Sequence, residues 1–320
     1  MKQTVIAYNL ANISHLEMVL SYVYYVCDKT NDEVLLSVSF GNSIGNQSVL
    51  NQNVLSRYKL PNNLIIKEEK SYDYPNVHIC NFGRLVANNM VESYKYKNFK
   101  SFVRMDEGSG SWQTLWTLMK IGMEEQKNRG ESQIGYLIKK VISYSIGFLS
   151  LKPVFSWRWV EKESPNKELA TYLRQVYASK KEHDALPFYE EDVYIILTGG
   201  FVESGYVTAQ EYIAWLEQVI DKIKDKAKHI ILKAHPAEDL SKYDPLMNRV
   251  EIITVKESID SMMYDERYHH YRVIGEYSTS LVTLNILYGI ETFSVKSLVH
   301  RDITGQFRQL FERYVKEMKI

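Results

Sequence analysis

Cysteine is almost absent from this chain: only Cys27 and Cys80 occur in 320 residues, each inside an apolar run. Two such residues cannot build a disulfide framework, so the fold must rest on its core, and a reducing compartment fits. An excess of either charge is absent too. Thirty-nine basic residues balance 39 acidic ones, which removes the global field that would draw in nucleic acid. No basic start leads into a short apolar core and a cleavage site, so no signal peptide is expected. No uncharged apolar run reaches the roughly 18 residues that a spanning helix needs. The longest candidate, Ile134 to Phe155, is interrupted by Lys139, Lys140, Lys152 and Pro153. A metal-ligand set is also missing: eight histidines are scattered, and the neighbours His269-His270 are poorly placed to converge on one ion. The expectation is a soluble, cytoplasmic protein, 45% hydrophobic and long enough for two domains. Its 24 tyrosines read as half-buried filler.

What is present alternates between strand and helix. Thr4-Val5-Ile6-Ala7-Tyr8 reads as a first strand, and Ser14 with Glu17 as the capping box of a helix from about His15 to Cys27. Further strands are expected at Val34–Val38, Leu64–Ile66, Val77–Cys80 and Lys100–Met105, with helices over Gln47–Tyr58 and Gly83–Tyr94. This alternation predicts a parallel sheet with helices on both faces. The pattern breaks between Glu124 and Glu190. There Ile134 to Leu151 reads as a helix with an apolar stripe, followed by Lys152-Pro153-Val154-Phe155-Ser156-Trp157-Arg158-Trp159. Basic residues interleaved with tryptophan fit a membrane interface or an acceptor groove; plain packing on the preceding domain is the commoner role.

A second series opens at Val193–Leu197 and continues with a helix from Thr208 to Lys226. Strands follow near Ile230–Leu232, Val250–Val255, Tyr271–Gly275 and Thr292–Val295, and an amphipathic helix, Thr304 to Lys319, closes the chain. The expected organisation is an α/β domain over residues 1–160, a connector over 161–190, a second α/β domain over 191–303 and a terminal helix over 304–320.

Several strand ends carry chemistry. Lys100–Met105 runs into Asp106-Glu107-Gly108. Neighbouring side chains of an extended segment point to opposite sides, so one carboxylate faces a given cleft and the other is free to cap the helix near Trp112. A carboxylate at a cleft edge is what activation of a hydroxyl requires; a capped turn uses the same residue types. In the second series, Ile230-Ile231-Leu232 fits a strand buried on both faces, and Pro236 biases His235 toward an extended backbone. His235 then stands at a carboxyl strand end, where open α/β sheets place their ligands. Thr198-Gly199-Gly200 lets backbone approach a ligand closely, although two glycines are not a dinucleotide fingerprint. Ser278-Thr279-Ser280 lies where a strand becomes a helix, which suits a phosphate or an ordinary N-cap. Two facing α/β domains would bring these ends to one interdomain cleft.

In order and placement, Asp106-Glu107-Gly108, His235-Pro236 and Ser278-Thr279-Ser280 resemble the motifs of bacterial sialyltransferases of the lipooligosaccharide, capsular and polysialyltransferase type. The resemblance spans positions 106 to 280. It implies two facing Rossmann-like domains of the glycosyltransferase B type with an interdomain active-site cleft, residues 1–160 on the acceptor side and 191–303 binding the nucleotide sugar. The activity it implies is inverting, metal-independent and cofactor-free transfer of sialic acid from CMP-sialic acid to a glycan hydroxyl, of galactose or sialic acid, in capsule or lipooligosaccharide synthesis. Asp106 would take the acceptor proton, and His235 would hydrogen-bond or protonate the departing phosphate. Ser278, Thr279 and Ser280 would hold that phosphate, while Glu107, Gly108, Gly199, Gly200 and Pro236 would complete the substrate site. Two choices stay open: which of Asp106 and Glu107 is the base, and which hydroxyl meets the phosphate, since Thr279 here separates two serines that are often adjacent in relatives.

Peripheral contact with the inner membrane surface is a further expectation, through residues 139–159 and Arg308, Arg313 and Lys316 of the last helix. Rival readings are another enzyme of the same fold, a polyol-phosphate transferase or a nucleotide-sugar epimerase, or a non-catalytic glycan-assembly protein. Intact Asp106 and His235 speak against the last.

Overall fold

A computed structural model describes residues 1–41, 52–83, 87–106, 115–128, 130–149, 151–161, 164–235, 238–255, 257–295, 298 and 306–319. The chain divides into two compact units, Met1–Ser111 with Leu137–Glu182, and Trp112–Tyr136 with His183–Ile320. In chain order the first stretch forms β1 (Gln3–Leu10), α1 (Ile13–Lys29), β2 (Val34–Phe40), β3 (Leu64–Ile66), β4 (Val77–Phe82), α2 (Ala87–Lys95) and β5 (Phe99–Met105). Then come α3 (Leu115–Asn128), α4 (Gln133–Phe148), β6 (Val154–Trp157), the two-residue β7 (Val160–Glu161) and β8 (Ser164–Pro165), and α5 (Lys167–Ala178).

The first unit is built on a parallel sheet of order β3-β2-β1-β4-β5-β6. Val5, Ile6 and Ala7 of β1 are all buried, as expected of a central strand covered on both faces. Helix α1 packs against α5 as well as the sheet, which explains why residues on most of its faces are buried. Its start differs from the sequence reading. Asn12, not Ser14, is the N-cap and accepts from the His15 N–H at 2.9 Å. Glu17 is no capping-box partner: it is fully buried and paired with Lys180 at 2.5 Å. Asparagine caps at least as well as serine, and a buried carboxylate without a cation would be costly.

The expected helix over residues 47–58 lies partly outside the described residues; 3₁₀ turns cover Gln52–Arg57. Trp157 and Trp159, read as candidates for a membrane interface, are core residues. Trp157 closes the sheet at β6, and its indole N–H donates to Ser21 Oγ at 2.9 Å.

The second unit continues with β9 (Val193–Leu197), α6 (Ala209–Ile223), β10 (His229–Lys233), β11 (Glu251–Ile253), α7 (Ile259–Met262), β12 (Arg272–Gly275), α8 (Thr279–Tyr288), β13 (Thr292–Val295), α9 (Gln306–Tyr314) and β14 (Lys316–Met318). Its sheet, also parallel, runs β11-β10-β9-β12-β13-β14. The two sheets thus share one strand order. Ile195, Ile196, Ile231, Leu232, Val273 and Ile274 are essentially inaccessible to water, each contributing about 2 kcal/mol of transfer free energy. Helix α6 starts where expected, and Thr208 proves to be its N-cap, forming a reciprocal capping box with Glu211.

The chain end departs from expectation. The helix stops at Tyr314, and Lys316–Met318 pairs with β13. Pairing satisfies the exposed edge of β13, and Lys316 is held by Glu291 at 2.5 Å rather than lying on a helix face.

Candidate active site

In the first unit the site is fixed by strand register. Met105 at the end of β5 pairs with Trp157 at the end of β6, so Asp106 faces the residues that follow β6. Arg158 Nε donates to Asp106 Oδ1 at 2.7 Å, and the Trp159 backbone N–H donates to Oδ2 at 2.9 Å. Asp106 is only 5% exposed. Burial pushes its pKa above the usual carboxylate range, while the Arg158 guanidinium and the Trp159 N–H pull the other way. Each oxygen keeps a further lone pair, so the carboxylate is oriented without being saturated. Glu107 and Gly108 lie outside the described residues.

In the second unit three neighbouring strands end together. Strand β9 lies between β10 and β12, with spacings of about 4.8 Å between strands. Their carboxyl ends lead to Thr198-Gly199-Gly200, to Ala234-His235 and to Glu276-Tyr277-Ser278 respectively. The strand order reverses between β9 and β12, the position at which open α/β sheets bind ligands.

His235 is held from behind. Its backbone N–H donates both to Thr198 Oγ1 at 3.0 Å and to Glu238 Oε2 at 2.7 Å. The Glu238 N–H returns to the His235 carbonyl at 3.0 Å. The Glu238 side chain is fully buried and also receives the Thr198 hydroxyl, Lys242 Nζ at 2.9 Å and the Tyr243 hydroxyl at 2.7 Å. Lys242 in turn meets Glu203 at 2.8 Å. This network fixes the backbone of His235 and leaves the residue open to solvent. Protein packed around the imidazole disfavours its charged form and lowers its pKa, with Glu238 acting in the opposite direction. Pro236 lies outside the described residues. Gly199 donates its N–H to the Tyr212 oxygen at 3.1 Å, and a Cβ there would come within 2.8 Å of the Phe201 ring.

The three hydroxyls at the start of α8 have different duties. Ser278 is the N-cap and accepts from the Ser280 N–H at 3.3 Å. Ser280 Oγ donates to Asp260 Oδ2 at 3.0 Å, and Thr283 donates to the other carboxylate oxygen. Burial pushes the Asp260 pKa up to about 6, with the two hydroxyl donors opposing the shift. The Thr279 hydroxyl makes no hydrogen bond to the described residues. Among those residues no group of three His, Cys, Asp or Glu side chains is arranged to hold a metal ion.

Sequence reasoning overlooked Arg158, Glu238, Lys242 and Asp260. Arg158 follows from pairing β5 with β6, and Glu238 stands three residues after His235, the span of one turn. Asp260 lies 20 residues before Ser280 and gives no local signal.

Solved structures share this architecture. UDP-GlcNAc 2-epimerase from Methanocaldococcus jannaschii superposes with a TM-score of 0.52 at 11% identity, covering 100% of this chain and 89% of that one. The glycotransferase of kitacinnamycin gives 0.51 at 8% identity, covering 100% and 87%. A sialyltransferase from Photobacterium damsela gives 0.45 at 12% identity, covering 99% and 81%. No curated protein matches the chain in sequence. The two open parallel sheets, each with its order reversal, give this chain the glycosyltransferase B fold. The chain belongs to the alpha-2,8-polysialyltransferase family, whose model it matches over residues 4–297. Membership makes it a sialyltransferase, an enzyme that needs a nucleotide-sugar donor and a glycan acceptor.

Proposed function

We propose that the enzyme transfers sialic acid from CMP-sialic acid to a hydroxyl of galactose or sialic acid on a growing glycan, inverting the anomeric centre without a metal ion or cofactor. Capsule or lipooligosaccharide synthesis is the setting of this reading, in a reducing cytoplasmic compartment that suits the buried, free Cys27 and Cys80. One observation carries it: an exposed histidine and the start of α8 stand at the carboxyl ends of β10 and β12, the two strands that flank β9, in a polysialyltransferase-family chain.

In this mechanism the acceptor oxygen attacks the donor anomeric carbon while the bond from that carbon to the phosphate oxygen breaks. Asp106, with its pKa raised by burial, accepts the hydroxyl proton; Arg158 and the Trp159 N–H fix its orientation. Glu107, the next residue in the sequence, is the alternative base. The electron pair leaves with CMP, and His235 donates a hydrogen bond or a proton to the departing phosphate. Backbone donors at the start of α8 and the Thr279 hydroxyl hold that phosphate, Ser278 and Ser280 being engaged in shaping the helix start. Gly199 and Gly200 admit the donor close to the backbone.

A donor panel tests the reading. Incubation with an oligosialic or galactose-terminated acceptor and, separately, CMP-sialic acid, UDP-GlcNAc and a CDP-polyol should extend the acceptor by sialyl residues with the first donor only. Conversion of UDP-GlcNAc without acceptor extension would identify an epimerase, and polyol-phosphate addition a teichoic-type transferase. Consumption of no donor would point to the assembly-protein reading.

A further inference from the structure

A helix that docks on its own protein normally turns its apolar stripe inward. Helix α4 does the reverse. Ile134, Ile138, Val141, Ile142, Ile146 and Leu149 recur at three- and four-residue spacings along α4 and its final turn, and all six are exposed, Ile134 at 72%. The less exposed face carries Tyr136, Leu137, Ser143, Tyr144 and Gly147. Ser143 Oγ accepts from the Ala87 N–H at 3.4 Å, and Gly147 is the one buried residue of the helix. Tyr136 covers Gly122, where an added Cβ would lie 2.0 Å from its hydroxyl. The outward stripe runs on past the helix: Phe148 and Leu151 are 90% and 100% exposed, and Val154 and Phe155 of the edge strand β6 follow.

The charge on this segment has one sign. From Ser132 to Val160 there is no Asp or Glu, whereas Lys139, Lys140, Lys152 and Arg158 all fall within it. Arg158 is committed to Asp106. Lys139 borders the apolar stripe, and Lys152 sits among the exposed apolar side chains, its Nζ 4.0 Å from the Tyr94 ring centroid. Scattered exposed apolar residues mean little, but a continuous patch of this kind marks an interaction surface.

We propose that α4 and the segment to Phe155 dock on an anionic lipid bilayer, with the helix lying in the headgroup plane. Its isoleucine stripe would enter the acyl boundary, and Lys139 and Lys152 would meet lipid phosphates. An anionic leaflet matches both the apolar stripe and the uniform positive charge. A second copy of this chain, with 39 charges of each sign, matches only the stripe. At about 1.5 Å per residue, the 16 residues of α4 fall short of a hydrocarbon core of about 30 Å. No helix among the described residues is long and apolar enough to cross. The docking surface does not depend on which donor the enzyme uses.

Flotation of the full chain with vesicles decides the matter. Binding to mixed phosphatidylglycerol–phosphatidylcholine vesicles is expected at low salt, with strong weakening at about 0.5 M salt and on pure phosphatidylcholine. Ile138→Glu with Ile142→Glu should lower partitioning more than about tenfold, with circular dichroism and melting temperature unchanged because both side chains point outward. Lys139→Glu serves as a second variant: it should reduce binding to the anionic vesicles by about fivefold or more and leave binding to neutral ones alone. No flotation with anionic vesicles at low salt, or unchanged flotation of all these variants, overturns the proposal. So does a wild-type dimer that the double variant converts to monomer in light scattering, which would assign the face to a second copy.

Discussion

Arg158 Nε lies 2.7 Å from Asp106 Oδ1, so the carboxylate offered as base is also tied to the residues that follow β6. The pair follows from the Met105–Trp157 register, which sets the residues after β5 against those after β6. Asp106→Asn keeps the shape and removes the proton acceptor, so transfer should fall on the order of 10²–10⁴-fold. CMP-sialic acid binding should change little. Both are read by steady-state kinetics beside calorimetric titration of the donor. Near-normal turnover in Asp106→Asn together with a dead Glu107→Gln would move the base to Glu107 and leave Asp106 as the anchor.

The three hydroxyls at the start of α8 can be separated experimentally. Thr279→Val should weaken CMP binding roughly tenfold or more, as expected on losing a hydrogen bond to a charged group. Ser280→Ala removes a donor from the buried Asp260 instead, so it should lower the unfolding free energy by about 1–3 kcal/mol with little effect on CMP affinity. Equal CMP affinity in Thr279→Val and wild type would contradict this assignment.

Asp260 gives the second unit a pH signature. Its pKa rises from 3.8 to about 6 on folding because burial penalises the charged form. The folded value lies above the unfolded one, so this contribution to stability is complete below about pH 4 and is lost as pH climbs through 6. Relative to Asp260→Asn, wild type should therefore lose on the order of 2–3 kcal/mol between about pH 4 and pH 7. Urea denaturation across that range measures it, and a pH-independent difference between the two proteins would refute it.

His235 should respond to the leaving group. Its pKa sits below the usual 6.5 in the free protein. A bound phosphate favours imidazolium, so CMP should raise that pKa. His235→Ala should depress turnover more than donor affinity, and His235→Asn should restore affinity better than rate. An imidazole resonance unmoved by CMP, with only a lower melting temperature in the alanine variant, would reduce His235 to a structural residue.

Much of this arrangement was legible in the chain. Val193–Leu197 and Thr292–Val295 are strands to the residue because short continuous apolar runs bounded by polar residues have few other uses. The helix expected from Thr208 is there as well, its start fixed by a Thr208–Glu211 capping box whose bonds are both local. Where reading failed, the deciding contact was distant. Glu17 looked like a capping partner until Lys180, far along the chain, claimed it. The final segment looked helical until the free edge of β13 took residues 316–318 as a strand. For the candidate site, sequence placed His235 at a strand end and the hydroxyl cluster at a helix start, but not what holds them. Glu238, Lys242 and Asp260 act through tertiary contacts that no spacing rule encodes. Trp157 and Trp159 showed the limit of composition: their basic neighbours suggested an interface, yet β6 pairing carries Trp157 into the core, and Trp159, bonded through its N–H to Asp106, is buried beside it in sequence.

Sialyl transfer from CMP-sialic acid can be followed by real-time proton NMR in a single reaction. The mixture contains the enzyme, CMP-sialic acid, an oligosialic acceptor and a chelator. CMP release and acceptor extension should proceed together, the new linkage should have the opposite anomeric configuration to the donor, and the chelator should leave the rate unchanged. CMP-sialic acid that persists untouched, or a product that keeps the donor's configuration, would contradict inverting sialyl transfer.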